Sequence, residues 1–374
     1  MRAPLRLAAM AAITSILFAH PSLQQTYSTC NPTVQQCPAD AALGTSMSAD
    51  FTKGASDQFT AQGNPTYGSD GVSFTVAQSG DAPQLTSKWY IMFGHVEVVM
   101  KAAPGAGIVS SSVLQSDDLD EIDWEWLGAQ NNQVQSNYFG KGQTTTYDRA
   151  AVHSVTDTQT TFHKYTVDWT ENQIVWQIDG TTVRVLTANN ANGQYPQTPM
   201  QFKLGAWSGG DPSNPQGTVA WAQGPTDYSA GPFSMVVNSV QVTDYSTGTQ
   251  YTYGDTSGAW TSIQSNGGKV NGNAGAASGT DTSAPAITST SNGNVVPFDG
   301  THRSDSAATT PNAGGWVPDP TTLCTATATQ TTYPGLPSGW IVDSCSGKIR
   351  EPSAAPVSMH LPIPEPVRTF NVEL

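Results

Sequence analysis

Residues 117–127 read Asp-Asp-Leu-Asp-Glu-Ile-Asp-Trp-Glu-Trp-Leu, an acid-rich stretch laced with large apolar residues. Side chains on a strand alternate with period two. Glu121, Asp123 and Glu125 therefore share one face, and Ile122, Trp124 and Trp126 share the other. The apolar face suits a core. Three carboxylates in line have no structural purpose, because like charges repel and burial penalises each one. A glycosidase does need them. One carboxylate stays ionised to attack an anomeric carbon, and another stays protonated to protonate the leaving oxygen. Four strand residues span about 13 Å, and two glutamates leaning together reduce the carboxyl gap to about 5–6 Å. That gap is near the value of retaining enzymes, although the same spacing is compatible with a wider, inverting gap. Two plainer readings also fit the residues. One is an acidic strand at a solvated sheet edge; the tryptophans behind it count against that. The other is a calcium site, but the spacing does not match an EF-hand loop and a straight strand wraps a cation poorly.

The elements that must position these residues are strands. From about residue 45 to 246 the pattern is β-rich. Val96, Val98 and Met100 alternate with His95, Glu97 and Lys101. His163, Tyr165, Val167 and Trp169 alternate with Lys164, Thr166 and Asp168. Ile174, Trp176 and Ile178 precede Asp179-Gly180, a two-residue hairpin signal, and Thr181 to Leu186 returns. Phe233 to Tyr245 reads as one long strand. No segment sustains a 3.6-residue period after the first twenty residues. The expected fold is all-β, a β-jelly-roll sandwich of two curved antiparallel sheets with the carboxylates on a concave face.

The chain has 374 residues, a formal net charge of −14 and only 12% charged residues. No basic patch is available to neutralise phosphates, which excludes nucleic acid as a partner. Docking on anionic lipid is excluded in the same way. Arg2, Arg6 and the apolar run Leu7 to Phe18 read as a secretory signal over residues 1–20, too short to span a bilayer. Four cysteines then read as disulfides, Cys30–Cys37 and Cys324–Cys345 by proximity in sequence. No cysteine or histidine spacing suggests zinc, and no metal or cofactor is expected. The expected organisation is a catalytic domain over 21–253, a low-complexity linker over 254–320 and a C-terminal segment over 321–374. The linker is rich in Gly, Ser, Thr and Asn and is expected to be disordered.

The string Asp120-Glu121-Ile122-Asp123-Trp124-Glu125 contains the E-x-D-x-E motif of glycoside hydrolase family 16. It most resembles that family's fungal Crh-type branch of cell-wall chitin–glucan transglycosylases. Cys30-Asn31-Pro32 with Cys37-Pro38 resembles the branch's N-terminal disulfide. Ile108 to Asp118, Asn137 to Gly142, and Tyr147-Asp148-Arg149 resemble its strands around the site. Gly205-Ala206-Trp207-Ser208-Gly209-Gly210-Asp211, with Gly217 to Trp221, resembles its most distinctive loop. The resemblance covers roughly residues 25–250.

The resemblance implies Glu121 as nucleophile, Glu125 as general acid/base and Asp123 as the residue that tunes both. It implies sugar contacts from Glu125, Tyr138, Phe139, Lys203, Trp207, Thr218 and Trp221. Aromatic rings suit the apolar face of a sugar. Trp207 and Trp221 are expected in Gly-rich loops rather than in the core. The implied activity is retaining transfer from chitin or a related glycan onto β-1,3- or β-1,6-glucan or chitin. An endo-β-1,3-glucan hydrolase and a non-catalytic wall-binding protein are the alternatives. The expected setting is secreted and wall-associated, as a monomer. The polar stretch Pro364 to Leu374 does not read as a glycolipid-anchor signal.

Overall fold

Alternating apolar and polar residues, punctuated by Gly, Pro and Asn, make strands nearly all the regular structure among the described residues. The computed structural model describes residues 28–144 and 146–276, and the backbone of 341–342 and 349–350. The secretory-signal expectation and the Cys324–Cys345 pair lie outside the described residues. In chain order the strands are β1 (Asp40–Ala41), β2 (Ser46–Asp50), β3 (Phe59–Gln62), β4 (Thr66–Gly68), β5 (Gly71–Val76) and β6 (Gln84–Ile91). There follow β7 (Gly94–Lys101), β8 (Ile108–Ser116), β9 (Glu121–Leu127), β10 (Gln133–Phe139), β11 (Ala151–Ser154) and β12 (His163–Trp169). The series continues with β13 (Gln173–Ile178), β14 (Thr181–Thr187), β15 (Met200–Ser208), the short helix α1 (Gln216–Trp221), β16 (Phe233–Asp244), β17 (Gln250–Tyr253) and β18 (Ile263–Asn266).

Two large antiparallel sheets face each other in a jelly-roll sandwich. One has the order β11-β10-β9-β8-β15-β6-β3, the other β14-β13-β12-β7-β16-β5-β4 with β2 beside β16. Side-chain parity decides what lies between them. Ile122, Trp124 and Trp126 from β9, Leu114 from β8, and Phe202, Leu204 and Ala206 from β15 point inward. They meet Val96, Val98, Met100, Tyr165, Val167, Trp169, Ile174 and Trp176 from the second sheet. The ring of Tyr165 is the hinge of this packing, edge-on to Trp126 at 4.6 Å and to Trp124 at 5.7 Å. Such buried aromatic pairs add directional contact to area burial. The hairpin signal at Asp179-Gly180 is a turn with both residues at positive φ, 50° and 79°, the geometry of a type I′ loop.

The first four residues after β17 begin what reads in sequence as linker, and here the expectation needs correction. Residues 254–276 pack on the domain rather than leaving it. Ile263 joins the core, and Trp260 meets Phe93 edge-on at 6.0 Å. β18 pairs with β17, which pairs with β1. Asp244, fully buried, accepts hydrogen bonds from Gly44, Met92 and Ser246 backbone N–H groups and from the Tyr251 hydroxyl. Trp260, Ile263 and Val270 pack on the core, and Asn271 N–H donates to the Ser246 hydroxyl and Asn273 Nδ2 to the Asp244 carbonyl, which together hold this polar stretch. Beyond it, residues 308–374 form a separate unit, described only where Ile341–Val342 pairs antiparallel with Ile349–Arg350.

Candidate active site

β9 begins at Glu121, and its neighbours bring specific residues beside each carboxylate. On one side Gln115, Val113 and Ser111 of β8 lie opposite Glu121, Asp123 and Glu125. On the other side Phe139, Asn137 and Gln135 of β10 lie opposite the same three. One strand further, Lys203 and Gly205 of β15 flank Val113 and Ser111. All of these share the face turned away from the core. That face is walled, because Glu121 is 5% exposed, Asp123 1% and Lys203 4%, while Glu125 is half-buried.

Five of the six acids from Asp117 to Glu125 divide into two groups, with Asp117 apart. Asp118 and Asp120 lie in the turn before β9, where Leu119 takes a positive φ of 66°. Lys141 Nζ reaches both, at 3.2 Å and 2.6 Å, and Thr198 Oγ1 lies 2.7 and 2.8 Å from them. The Lys141 backbone N–H also donates to Asp120. These acids brace the entry to the strand. Asp117 accepts from the Tyr90 hydroxyl at 3.0 Å.

Glu121, Asp123 and Glu125 lie close enough to influence one another's charge. Burial, then the charges of Asp123 and Glu125, push the Glu121 carboxyl well above the ordinary carboxylate range. Burial raises Asp123 to about 7, against the opposing influence of Glu121 and Arg184. Burial, then Asp123, raises Glu125. Glu121 Oε2 and both Asp123 carboxyl oxygens are buried without a hydrogen-bond partner. Lys203, buried and lowered to about 8 by that burial, is a cation whose field reaches Glu121, as is the Arg149 guanidinium. Lys203 Nζ donates to Gln115 Oε1 at 2.6 Å. A row of carboxyls that holds protons near neutral pH, beside one ammonium, can supply an acid and a nucleophile together.

The other expected sugar contacts fall into three kinds. Phe139 is beside Glu121, with the Arg149 guanidinium 4.6 Å over its ring. Trp207 and Trp221 stack with centroids 6.3 Å apart and planes 26° apart, and with Val109, Leu127 and Ala222 they form a small apolar cluster separate from the main core. Neither is in a loop: Trp207 lies on β15 and Trp221 ends α1, which corrects the expectation for both. Trp221 Nε1 donates to Gln135 Oε1 at 3.2 Å, linking the cluster to the Glu125 level of the sheet. Thr218 is fully buried on α1, and its hydroxyl finds no hydrogen-bond partner.

Tyr138 is the clear correction. It lies opposite Ile122, so it points into the core, 3% exposed. A strand that turns Phe139 toward Glu121 must turn Tyr138 away. Residues missed in the sequence are Gln115 and Gln201. Together with Ser28, Thr86, Tyr90, Asp117 and Lys203 they line a polar depression of about 130 Å³ beside Glu121. Its far wall is the N-terminal segment. That segment is held by the Cys30–Cys37 disulfide and by the Ser28 hydroxyl donating to the Asp117 carbonyl at 2.6 Å. The signal available in sequence was only that Gln115 shares a strand face with Val113 and Ser111.

A β-sandwich carrying a carboxylate row in a walled polar face is the architecture of an enzyme that works on glycans. The sequence profile of "Glycosyl hydrolases family 16" matches residues 52–223. The chain is 58% identical over 333 residues to "Crh-like protein 4" of Aspergillus fumigatus, covering 88% of this chain and 73% of that one. It is 53% identical over 352 residues to "Crh-like protein 4" of Botryotinia fuckeliana, covering 94% and 92%. The solved structure "Crh5 transglycosylase in complex with NAG" superposes with a TM-score of 0.62 at 54% identity, covering 63% of this chain and all of that one. The chain belongs to glycosyl hydrolases family 16, on its Crh-like branch.

Proposed function

We propose that this protein is a retaining cell-wall transglycosylase that cleaves chitin or a related β-linked glycan and passes it to β-glucan or chitin. The observation that carries this reading is the placement of Glu121 and Glu125 on one walled face, four positions apart on β9. The Crh5 transglycosylase solved in complex with NAG, 54% identical to this chain, supports the substrate class.

In this reading Glu121 attacks the anomeric carbon as the glycosidic C–O bond breaks. Glu125 gives its proton to the departing oxygen, so the leaving sugar departs with a free hydroxyl. Glu125, now a carboxylate, then takes a proton from the hydroxyl of an incoming sugar. That oxygen displaces Glu121, and the carboxylate of Glu121 is regenerated. As Glu121 attacks it passes its proton to Asp123, which ionises Glu121 without raising the charge of the row. Lys203 stabilises that ionised form through its field. Phe139, Trp207 and Trp221 are 5%, 2% and 6% exposed, so they back the walled face rather than present open apolar surface to sugar rings. The depression beside Glu121 offers hydroxyl and amide partners to one more sugar residue. Water entering in place of the acceptor would give hydrolysis from the same intermediate, so an occupied acceptor site favours transfer.

The setting follows the same reading. A disulfide at Cys30–Cys37 belongs to an oxidising compartment, as an extracellular wall enzyme requires. No helix among the described residues is long and apolar enough to cross a membrane. The partners are wall polysaccharides.

The pH dependence has a definite sign. Turnover needs one proton fewer than full protonation on the Glu121–Asp123 pair and a proton still on Glu125. Burial raises all three carboxyls, so both limbs of the profile lie above the ordinary carboxylate range. We expect a bell-shaped profile, with activity lost at low pH when the pair is fully protonated and at high pH when Glu125 ionises. A rate that keeps climbing beyond neutral pH would contradict the assignment.

Transfer is tested by incubating chitin oligomers with a fluorescent β-glucan oligomer. Labelled products larger than the acceptor are expected. Short unlabelled products alone would make the protein a hydrolase, and retained binding without products would make it a binding protein.

A further inference from the structure

β14 returns from the Asp179-Gly180 turn with a fault in its register. Gln177 pairs with Thr182, but Trp176 pairs with Arg184, so Val183 is the extra residue. A bulge of this kind re-aims the side chains that follow it. Without it, Val183 would face Trp176. With it, Arg184 enters the core, 0% exposed. Its guanidinium lies 4.6 Å over the Trp176 ring and 5.4 Å from the Tyr138 ring. Among the described residues it forms no ion pair. A buried charge without a carboxylate is costly unless strong dipoles and a nearby opposite field offset it.

Its hydrogen bonds show what it holds. Nη1 donates to the Ser136 carbonyl at 2.8 Å and lies 3.0 Å from the Ser136 hydroxyl. Nη2 donates to the Arg149 carbonyl at 2.7 Å. β11 starts at Ala151, opposite Ser136, so the outer edge of β10 has no partner strand beyond that point. Two residues on, Arg149 Nε donates to the Tyr138 carbonyl at 3.0 Å. Carbonyls two apart point the same way. Two arginines thus stand in for the missing strand along Ser136–Tyr138. Between those residues lies Asn137, whose cross-strand partner is Asp123.

We infer that Arg184 is a positioning residue of the catalytic strand: it caps the open edge of β10 and sets a fixed positive charge on the core side of the sheet, beneath Asp123. The inference rests on the proposed roles of Glu121, Asp123 and Glu125. The charge favours ionised carboxylates in the row, in keeping with the mutual influence of Asp123 and Arg184. It faces the core, so it touches no substrate.

The test compares Arg184→Lys, Arg184→Gln and Arg184→Met by pH–rate profile. Loss of the charge disfavours ionised carboxylates, so both limbs move to higher pH. We expect Gln and Met to displace the bell upward by about half a pH unit or more, with KM within about twofold of the parent. Lys keeps the charge but loses the forked donors. It should lower kcat several-fold while leaving the bell in place. Met is included because an apolar side chain in such a slot can keep the fold when a polar one does not. Profiles of the Gln or Met variant that superimpose on the parent would overturn the inference, as would a Lys profile shifted as far as theirs. An inactive parent would instead overturn the enzymatic reading.

Discussion

Glu121→Gln should abolish both transfer and hydrolysis, by about 10⁴-fold or more, while the sandwich stays folded. The amide keeps the shape of the side chain but cannot bond to an anomeric carbon. Stability gives a second, opposite readout. The Glu121 carboxyl is raised by burial and by its acidic neighbours, so the folded state holds a proton that the unfolded chain releases. That contribution is fully present below the unfolded pKa and fades as pH rises toward the folded one. The Gln variant lacks this loss. Its melting temperature should match the parent near pH 4 and exceed it at pH 7. Residual activity near the parent's would remove Glu121 from the mechanism. Adding azide to Glu121→Ala should restore turnover and give the α-linked glycosyl azide, the product of direct attack on the opposite face.

Glu125→Gln should show a different pattern. With natural glycans the rate should fall by about 10²–10⁴-fold, because departure of a sugar alkoxide needs a proton. With an aryl glycoside whose leaving group needs no proton, the first step should recover. The second step still lacks its base, so the intermediate accumulates and a burst of released phenol precedes slow turnover. Azide with Glu125→Ala should give the β-linked azide. Equal losses on natural and activated substrates would deny Glu125 its proton-transfer role.

Period two carried much of this architecture. The parity of Glu121, Asp123 and Glu125 against Ile122, Trp124 and Trp126 is written in eleven residues, and β9 has that parity. Parity within one strand does not give its phase against the neighbour. Tyr138 and Phe139 are both aromatic and adjacent, so only the register with β9 decides which of them faces Glu121. Trp207 was obscured by surrounding glycines that read as loop. β15 tolerates Gly205 because β8 and β6 flank it on both sides. Trp221 lies on a helix of six residues, too short to show a period. Arg184 interrupts the alternation in Thr-Thr-Val-Arg-Val-Leu-Thr. The bulge that resolves the interruption depends on pairing with β13. Residues 254–276 have a linker's composition, and the few apolar residues Trp260, Ile263 and Val270 give them a hold on the core.

The most direct test is the intact mass of Glu125→Gln mixed with an activated chitin-oligosaccharide donor. A species heavier by one glycosyl unit of the donor should appear within the burst, and peptide mapping should place the added sugar on Glu121. Turnover with no such species, or a sugar mapped to any other residue, would contradict the two-glutamate account.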